Sequence, residues 1–281
     1  MLKFTLSNGA EIPALGIGTF LLTSDQAEKS VIAALGDGYR LIDTANAYVN
    51  EKAVGRAMKQ SGVKRGDIFL STKLWPTVYK ADDAVEKTLE RLGTDYVDLL
   101  FIHQPAGDYI AGYRQLEKAY REGKARSIGI SNFHGEKLQK LLDAAEIMPH
   151  VIQLEAHPYC TQKETIQALA PFGTRLMAWY PLGHGDKKLM QEEVFVSLAE
   201  KYGKTPAQII LRWHTQKGFI VIPGSANPDH IRANADIFDF ALTDEEMEKI
   251  AALDKNIRYY NATPEQEEAY AGMYPDMDGQ K

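Results

Sequence analysis

The sequence predicts an α/β protein of the (β/α)8 type, a TIM barrel with an N-terminal β-hairpin. Three observations lead there. Eight apolar runs of strand length follow one another along 281 residues, and helical patterns alternate with them. Several of the runs also end in charged or polar side chains, as strands do when they open onto one barrel mouth.

The elements follow in order. MLKFTLSNGAEIP reads as a hairpin with Asn8-Gly9 as its turn, not as a signal peptide with an apolar centre. ALGIGT at 14 to 19 is the first barrel strand, and Ser24 is expected to N-cap a helix through about Leu35. YRLIDTA at 39 to 45 precedes a helix near 50 to 61, IFLSTKL at 68 to 74 one near 81 to 91, and YVDLLFIH at 96 to 103 one near 112 to 121. SIGIS at 127 to 131, VIQLE at 151 to 155, RLMAW at 175 to 179 and FIVIP at 219 to 223 complete the set. The competing architecture is an open doubly wound sheet, which would carry G-x-G-x-x-G after its first strand. Here Gly16-Ile17-Gly18 runs on into Thr19, Phe20 and Leu21, and Gly203-Lys204-Thr205 has Leu198 where a phosphate loop needs glycine. The length allows one domain or two. Without a Pro, Gly or Ser-rich linker, one barrel domain over 1–281 is expected, with 256–281 as a tail that either folds over the mouth or stays solvated.

Composition narrows the function. Hydrophobic residues at 44% and charged residues at 25% are ordinary for a globular chain. A net charge of −6 with no long basic run argues against nucleic acid. No apolar stretch is long enough to suggest a membrane span. Cys160 is the only cysteine, which excludes an intramolecular disulfide and fits a cytoplasmic protein. His134, His150, His157, His184, His214 and His230 show neither H-x-x-x-H nor HExxH spacing, so no metal is expected.

Four residues carry the chemistry: Asp43, Tyr48, Lys73 and His103. Singly, each has a structural explanation: a turn cap, a rim aromatic, a solvated strand end, a core imidazole. Together they supply what carbonyl reduction needs. A nearby ammonium, Lys73, favours the phenolate of Tyr48 and so makes the phenol a better acid. Asp43 would keep Lys73 charged, while His103 could donate a hydrogen bond to the substrate oxygen.

At these residues the chain resembles the aldo-keto reductases, and among them diketo-gluconate reductase-like bacterial members. The resemblance runs from about residue 4 to about residue 255 through GIGT, LIDTANAYVNE, STKLW, FIHQP, SIGISNF, VIQLEAHP, AWYPLG and VIPGS. It implies Tyr48 as general acid, Lys73 and Asp43 as its tuning pair, and His103 as the residue orienting the carbonyl. It further implies that Ser131, Asn132 and Gln153 bind a nicotinamide carboxamide, that Trp179 stacks on the ring, and that Tyr180, Pro181, Leu182 and Gly183 pass under the pyrophosphate. From the residues alone, barrel-core packing explains Trp179 equally well. Thr19 and Phe20 beside Asp43, and Ser225, His230 and Asn234 at the adenosine end, complete the expected cofactor contacts.

Two departures from the family pattern matter. Gly224 and His230 stand where many members carry the lysine and arginine that grip the 2′-phosphate of NADPH, although Arg232 lies two residues beyond. NADPH is therefore expected to serve, with NADH also used. Phe20 and Gln104 stand where tryptophan is frequent, and Trp75 is retained. A pocket of Phe20, Tyr48, Trp75, His103 and Gln104 should suit small aldehydes, dicarbonyls or keto sugars. The expected function is NAD(P)H-dependent reduction of such carbonyls by a monomer, with no nucleic-acid or membrane partner. The alternative is a non-catalytic NAD(P)H-binding, redox-sensing barrel. A barrel acting on sugar phosphates is weaker, because no glycine-rich phosphate loop follows the seventh or eighth strand.

Overall fold

The computed structural model describes residues 2–280. β1 (Lys3–Thr5) and β2 (Glu11–Pro13) pair antiparallel with Phe4 opposite Ile12, and the turn between them is possible because Gly9 takes φ +85°. Eight strands then pair parallel in chain order: β3 (Ile17–Gly18), β4 (Leu41–Asp43), β5 (Phe69–Leu74), β6 (Leu99–Ile102), β7 (Ile128–Ser131), β8 (Val151–Glu155), β9 (Arg175–Trp179) and β10 (Ile220–Val221). The ends meet. Leu15 bridges Val221 and Gly18 bridges Gly224, with Gly16 N–H donating to the Val221 carbonyl and Val221 N–H to that of Ala14, both at 2.9 Å. The sheet is thus a closed barrel, and the open doubly wound alternative is excluded.

Helices α1 (Ser24–Gly36), α2 (Glu51–Gln60), α3 (Ala84–Leu92), α4 (Tyr109–Arg121), α5 (Gly135–Ala144) and α6 (Lys163–Leu169) each follow a strand. Between β9 and β10 lie α7 (Lys187–Met190), α8 (Glu193–Tyr202) and α9 (Pro206–Gln216); α10 (Pro228–Ala235), α11 (Asp244–Ala251) and α12 (Pro264–Ala269) close the chain. The cap of α1 differs from expectation. Thr23, not Ser24, is the N-cap, because its hydroxyl accepts from the Gln26 N–H while the Gln26 side chain accepts from the Thr23 N–H. That reciprocal box satisfies two orphan donors and leaves Ser24 as the first helical residue. No helix among the described residues is long and apolar enough to cross a membrane.

Alternation along each strand sorts two cores. Ile17, Ile42, Leu70, Leu100, Ile102, Ile128, Ile130, Ile152 and Leu154 belong to the main cluster, which packs the strands against the surrounding helices. Leu41, Phe69, Leu99, Phe101, Val151, Met177 and Ile220 form a second cluster with Leu6 and Ile12 of the hairpin. Leu41, Phe69, Leu99 and Phe101, Val151, and Met177 are one or more steps of two before Asp43, Ser71 and Lys73, His103, Gln153 and Glu155, and Trp179. The inner face of the barrel is therefore apolar at the hairpin end and polar at the mouth.

Gly129 sits on this inner face, where an added Cβ would lie 2.5 Å from Cε1 of Phe101 and 2.6 Å from the Val151 carbonyl oxygen. The backbone oxygen belongs to a neighbouring strand and cannot turn aside as a side chain can. Gly129→Ala should therefore lower the unfolding free energy by about 1–3 kcal/mol. A melting temperature equal to the parent's would show that the wall yields freely.

Candidate active site

Lys73 is fully buried, and its Nζ donates to Asp43 Oδ2 at 2.6 Å and to the Thr44 carbonyl at 2.9 Å. The other carboxylate oxygen of Asp43 accepts from Ser71 Oγ at 2.7 Å and from Gln153 Nε2 at 2.9 Å. Burial pushes the ammonium below the ordinary lysine value, while Asp43 and, more weakly, Glu51 oppose that shift. Glu51 is itself buried behind the pair, with Thr72 Oγ1 and Arg91 Nε each donating at 2.7 Å.

Tyr48 ends a 3₁₀ turn, Asn46–Tyr48, directly after β4, and this turn brings its ring over the lysine, with Nζ 5.0 Å from the ring centroid. His103 follows β6 and meets the Tyr48 ring edge-on at 5.4 Å. Burial, reinforced by Asp43 and Tyr180, raises the Tyr48 pKa well above 10. The net direction is opposite to the effect expected from Lys73 alone, because desolvation of a phenolate outweighs a cation that sits over the ring. The phenol accordingly keeps its proton at neutral pH, available to a much stronger base such as an alkoxide. His103 is shifted the other way. Burial, then Lys73, holds it well below the usual 6.5, so the imidazole is neutral. Its Nδ1 is buried without a hydrogen-bond partner. An unpaired lone pair there costs less than an unpaired N–H, which assigns the proton to Nε2.

Ser131 is buried at the end of β7, Gln153 is buried at the middle of β8, and half-buried Asn132 follows β7. Asn132 Nδ2 donates to the His103 carbonyl at 3.1 Å, and its Oδ1 accepts from Trp179 Nε1 at 3.0 Å, so imidazole, amide and indole form one wall. The half-buried Trp179 ring, with amide and hydroxyl groups beside it, fits a nicotinamide. Beyond it, Tyr180, Gly183, His184 and Gly185 all have positive φ, which bends the loop from Tyr180 through Pro181, Leu182 and Gly183 into a concave run of backbone. His214 supports the loop from below, its Nε2 lying 3.2 Å from the Pro181 carbonyl. At the remote end, Asn234 is buried in α10, Ser225 is half-buried and His230 is exposed. Arg232 is exposed and shared between Asp37 and Asp229, each at 3.5 Å.

Thr19 is buried and donates to the Asp43 carbonyl, while Phe20 stands on the rim with its ring 5.0 Å from that of Tyr48. Trp75 lies edge-on to His103 at 5.1 Å, and Gln104 is held by Tyr79, whose hydroxyl accepts from the Gln104 N–H at 3.0 Å. The tail reaches the same mouth. Met273 accepts from Trp75 Nε1 at 2.8 Å, Tyr270 packs on the Trp75 ring, and Asp278 meets Arg91 at 3.0 Å. Its start is pinned by Glu155, whose oxygens accept from the N–H groups of Tyr259 at 2.6 Å and Tyr260 at 3.0 Å. Sequence reasoning missed Glu155 and Ser71 as partners of the site. The signal was present, since Glu155 is a charged exit from a buried strand just as Asp43 is. Among the described residues no group of three His, Cys, Asp or Glu side chains could hold a metal.

A model of the aldo/keto reductase family matches residues 14–255. The chain is similar to glyoxal reductase of Bacillus subtilis, with 46% identity over 258 residues covering 90% of this chain and 93% of that protein. It is similar to morphine 6-dehydrogenase of Pseudomonas putida, at 40% over 270 residues covering 90% and 91%. Among solved structures, an aldo/keto reductase from Brucella melitensis superposes with a TM-score of 0.86 at 41% identity, covering 90% of this chain and 99% of that one.

Two of the buried imidazoles, His103 and His214, give the fold a pH dependence of defined sign. His103 lies well below 6.5 and burial takes His214 down to about 3, whereas both would titrate near 6.5 in the unfolded chain. Below that pH the unfolded state binds protons that the native state refuses, so stability falls as pH falls. Below pH ~6.5, and until its own folded-state pKa is reached, each residue should remove about 1.4 kcal/mol per pH unit, measured by urea unfolding at stepped pH. His103→Gln should flatten the slope by one such increment, and an unaltered slope would refute the assignment.

Proposed function

Because the chain belongs to the aldo/keto reductase family, a family of oxidoreductases, we propose that it reduces small aldehydes and ketones, dicarbonyls and keto sugars among them, to alcohols. The observation that carries this reading is the meeting of Tyr48 with His103 at 5.4 Å and with the Lys73 ammonium at 5.0 Å, above a lysine paired with Asp43 at 2.6 Å. A barrel that only bound a cofactor would have no use for so costly a buried pair.

Bound NADPH or NADH supplies the hydride. Ser131, Asn132 and Gln153 would hold its carboxamide, Trp179 the ring face, and Tyr180, Pro181, Leu182 and Gly183 the pyrophosphate. Thr19 and Phe20 would flank the nicotinamide end; Ser225, His230 and Asn234 would flank the adenosine. His103, neutral with its proton on Nε2, donates a hydrogen bond to the carbonyl oxygen and orients it. Tyr48 gives its proton to the same oxygen as negative charge develops there. Lys73 then faces a phenolate rather than a phenol, and the attraction between the opposite charges stabilises the product of the proton transfer. Asp43 keeps that ammonium in place between turnovers. Phe20, Trp75 and Gln104 bound the substrate side, and the polar amide of Gln104 favours oxygenated substrates. The likeness to a protein named glyoxal reductase supports dicarbonyls among them.

Relaxed cofactor choice follows from the adenosine end. Gly224 offers no cation, and Arg232 is already shared between two carboxylates. Two missing charge-assisted contacts, each worth about 1.5–3 kcal/mol, remove the basis for a strict NADPH requirement.

The test is oxidation of NADPH and of NADH with methylglyoxal and a nitrobenzaldehyde, by the parent and by Tyr48→Phe. The substitution should lower kcat by about 10²- to 10⁴-fold while the cofactor still binds. Cofactor binding by the parent without turnover of any carbonyl would favour a redox-sensing barrel instead. The parent's kcat/KM with NADPH should exceed that with NADH by less than about a thousandfold, and a larger ratio would refute relaxed choice.

A further inference from the structure

The cleft between barrel mouth and tail is lined by Gln104, Asn132, His134, Glu155, Trp179 and Arg258, with Tyr260 and Glu267 at its outer side. Its charges can be accounted for one by one. Glu155 is occupied by the Tyr259 and Tyr260 amides and by His157 Nε2 at 3.0 Å. Glu267 pairs with Lys137 at 2.9 Å. His134 is kept neutral, its pKa taken down to about 4 by burial and then by the neighbouring Arg258. Arg258 remains. It is half-buried, and among the described residues its guanidinium makes no hydrogen bond and no ion pair; only its carbonyl is engaged, by Asn261.

A solvated arginine on an open surface needs no partner. One that lines a cleft, partly out of water, presents five N–H donors in a planar fork that matches a carboxylate. The cleft borders the reacting centre, since Gln104 follows His103 and Asn132 joins the His103 carbonyl to Trp179. We propose that Arg258 is an anion-recognition residue for substrate, and that the preferred substrates are carbonyl compounds that also bear a carboxylate. The proposal rests on the reductase reading above. Arg258 neighbours His134 rather than His103, which sets the acid group across the cleft from the carbonyl. That separation favours aldehyde-terminated acids, such as semialdehydes and uronic acids, over 2-oxo acids, whose two groups are adjacent.

The experiment compares succinic semialdehyde with butanal, which has the same chain length and no charge, in the parent, Arg258→Met and Arg258→Lys. Methionine keeps much of the apolar stem, so the tail retains its packing. The parent should favour the acid by about tenfold in kcat/KM, a charge-assisted contact discounted for partial exposure. Arg258→Met should abolish most of that ratio through KM, and Arg258→Lys should restore part of it. Equal loss on both substrates, together with weaker NADPH binding by fluorescence titration, would overturn the proposal and assign Arg258 to the cofactor phosphates. A parent that turns over butanal as well as the acid would overturn the anion subsite and leave the reductase standing. Turnover of neither, nor of any other carbonyl, would remove both.

Discussion

Everything at the mouth is arranged around one buried ammonium. Removing Lys73 from water costs several kcal/mol, and a lone carboxylate at 2.6 Å would hardly repay it, because Asp43 has been desolvated too. The remaining hydrogen bonds make the difference. Asp43 accepts from Lys73 and Ser71 of β5 and from Gln153 of β8, while Lys73 also donates to the Thr44 carbonyl just beyond β4. Strands four places apart in the sheet must therefore be brought face to face, which an open sheet could not do. The closed barrel is the structure in which this ion pair is tolerable, and Tyr48 and His103 are placed by the same closure.

Most of this was legible because the physics behind it is local. Period-two alternation marks which side chains enter the barrel, and a charge ending an apolar run marks where the barrel becomes a site. Asp43, Lys73 and His103 follow from that rule. Tyr48 does not lie on a strand, and only the 3₁₀ turn after β4 explains its place. The first helix was read one residue late, since Thr23 and Ser24 are both competent caps and only the Gln26 reply distinguishes them. The tail was harder. Its helix has no buried residue, and its anchors are backbone amides on Glu155, a backbone carbonyl on Trp75 and an ion pair with Arg91, so no hydrophobic period announces where it docks. Sequence reasoning also took the sign of the Tyr48 shift from one neighbour, whereas burial is a property of the whole neighbourhood.

The two ends of the site have different characters. Around the reacting centre, Asp43, Lys73 and Gln153 are buried and make two or more hydrogen bonds each, which fixes the floor on which Tyr48 and His103 stand. At the adenosine end, His230 and Arg232 are exposed and solvated, and the charges there partly cancel. The tail adds a third layer, fastened to loops on opposite sides of the mouth through Glu155 and Trp75.

The hydrogen bonds that join Ala14 and Gly16 to Val221 have a consequence during synthesis. They link the first barrel strand to the last, so a nascent chain on the ribosome cannot make them until β10 has emerged. Until then the chamber lacks one wall, and the burial that lowers the Lys73 ammonium from its ordinary value is incomplete. The unfinished molecule thus holds every reactive side chain but none of the environment that makes them reactive. The cavity that desolvates them is completed only when the first barrel strand meets the last.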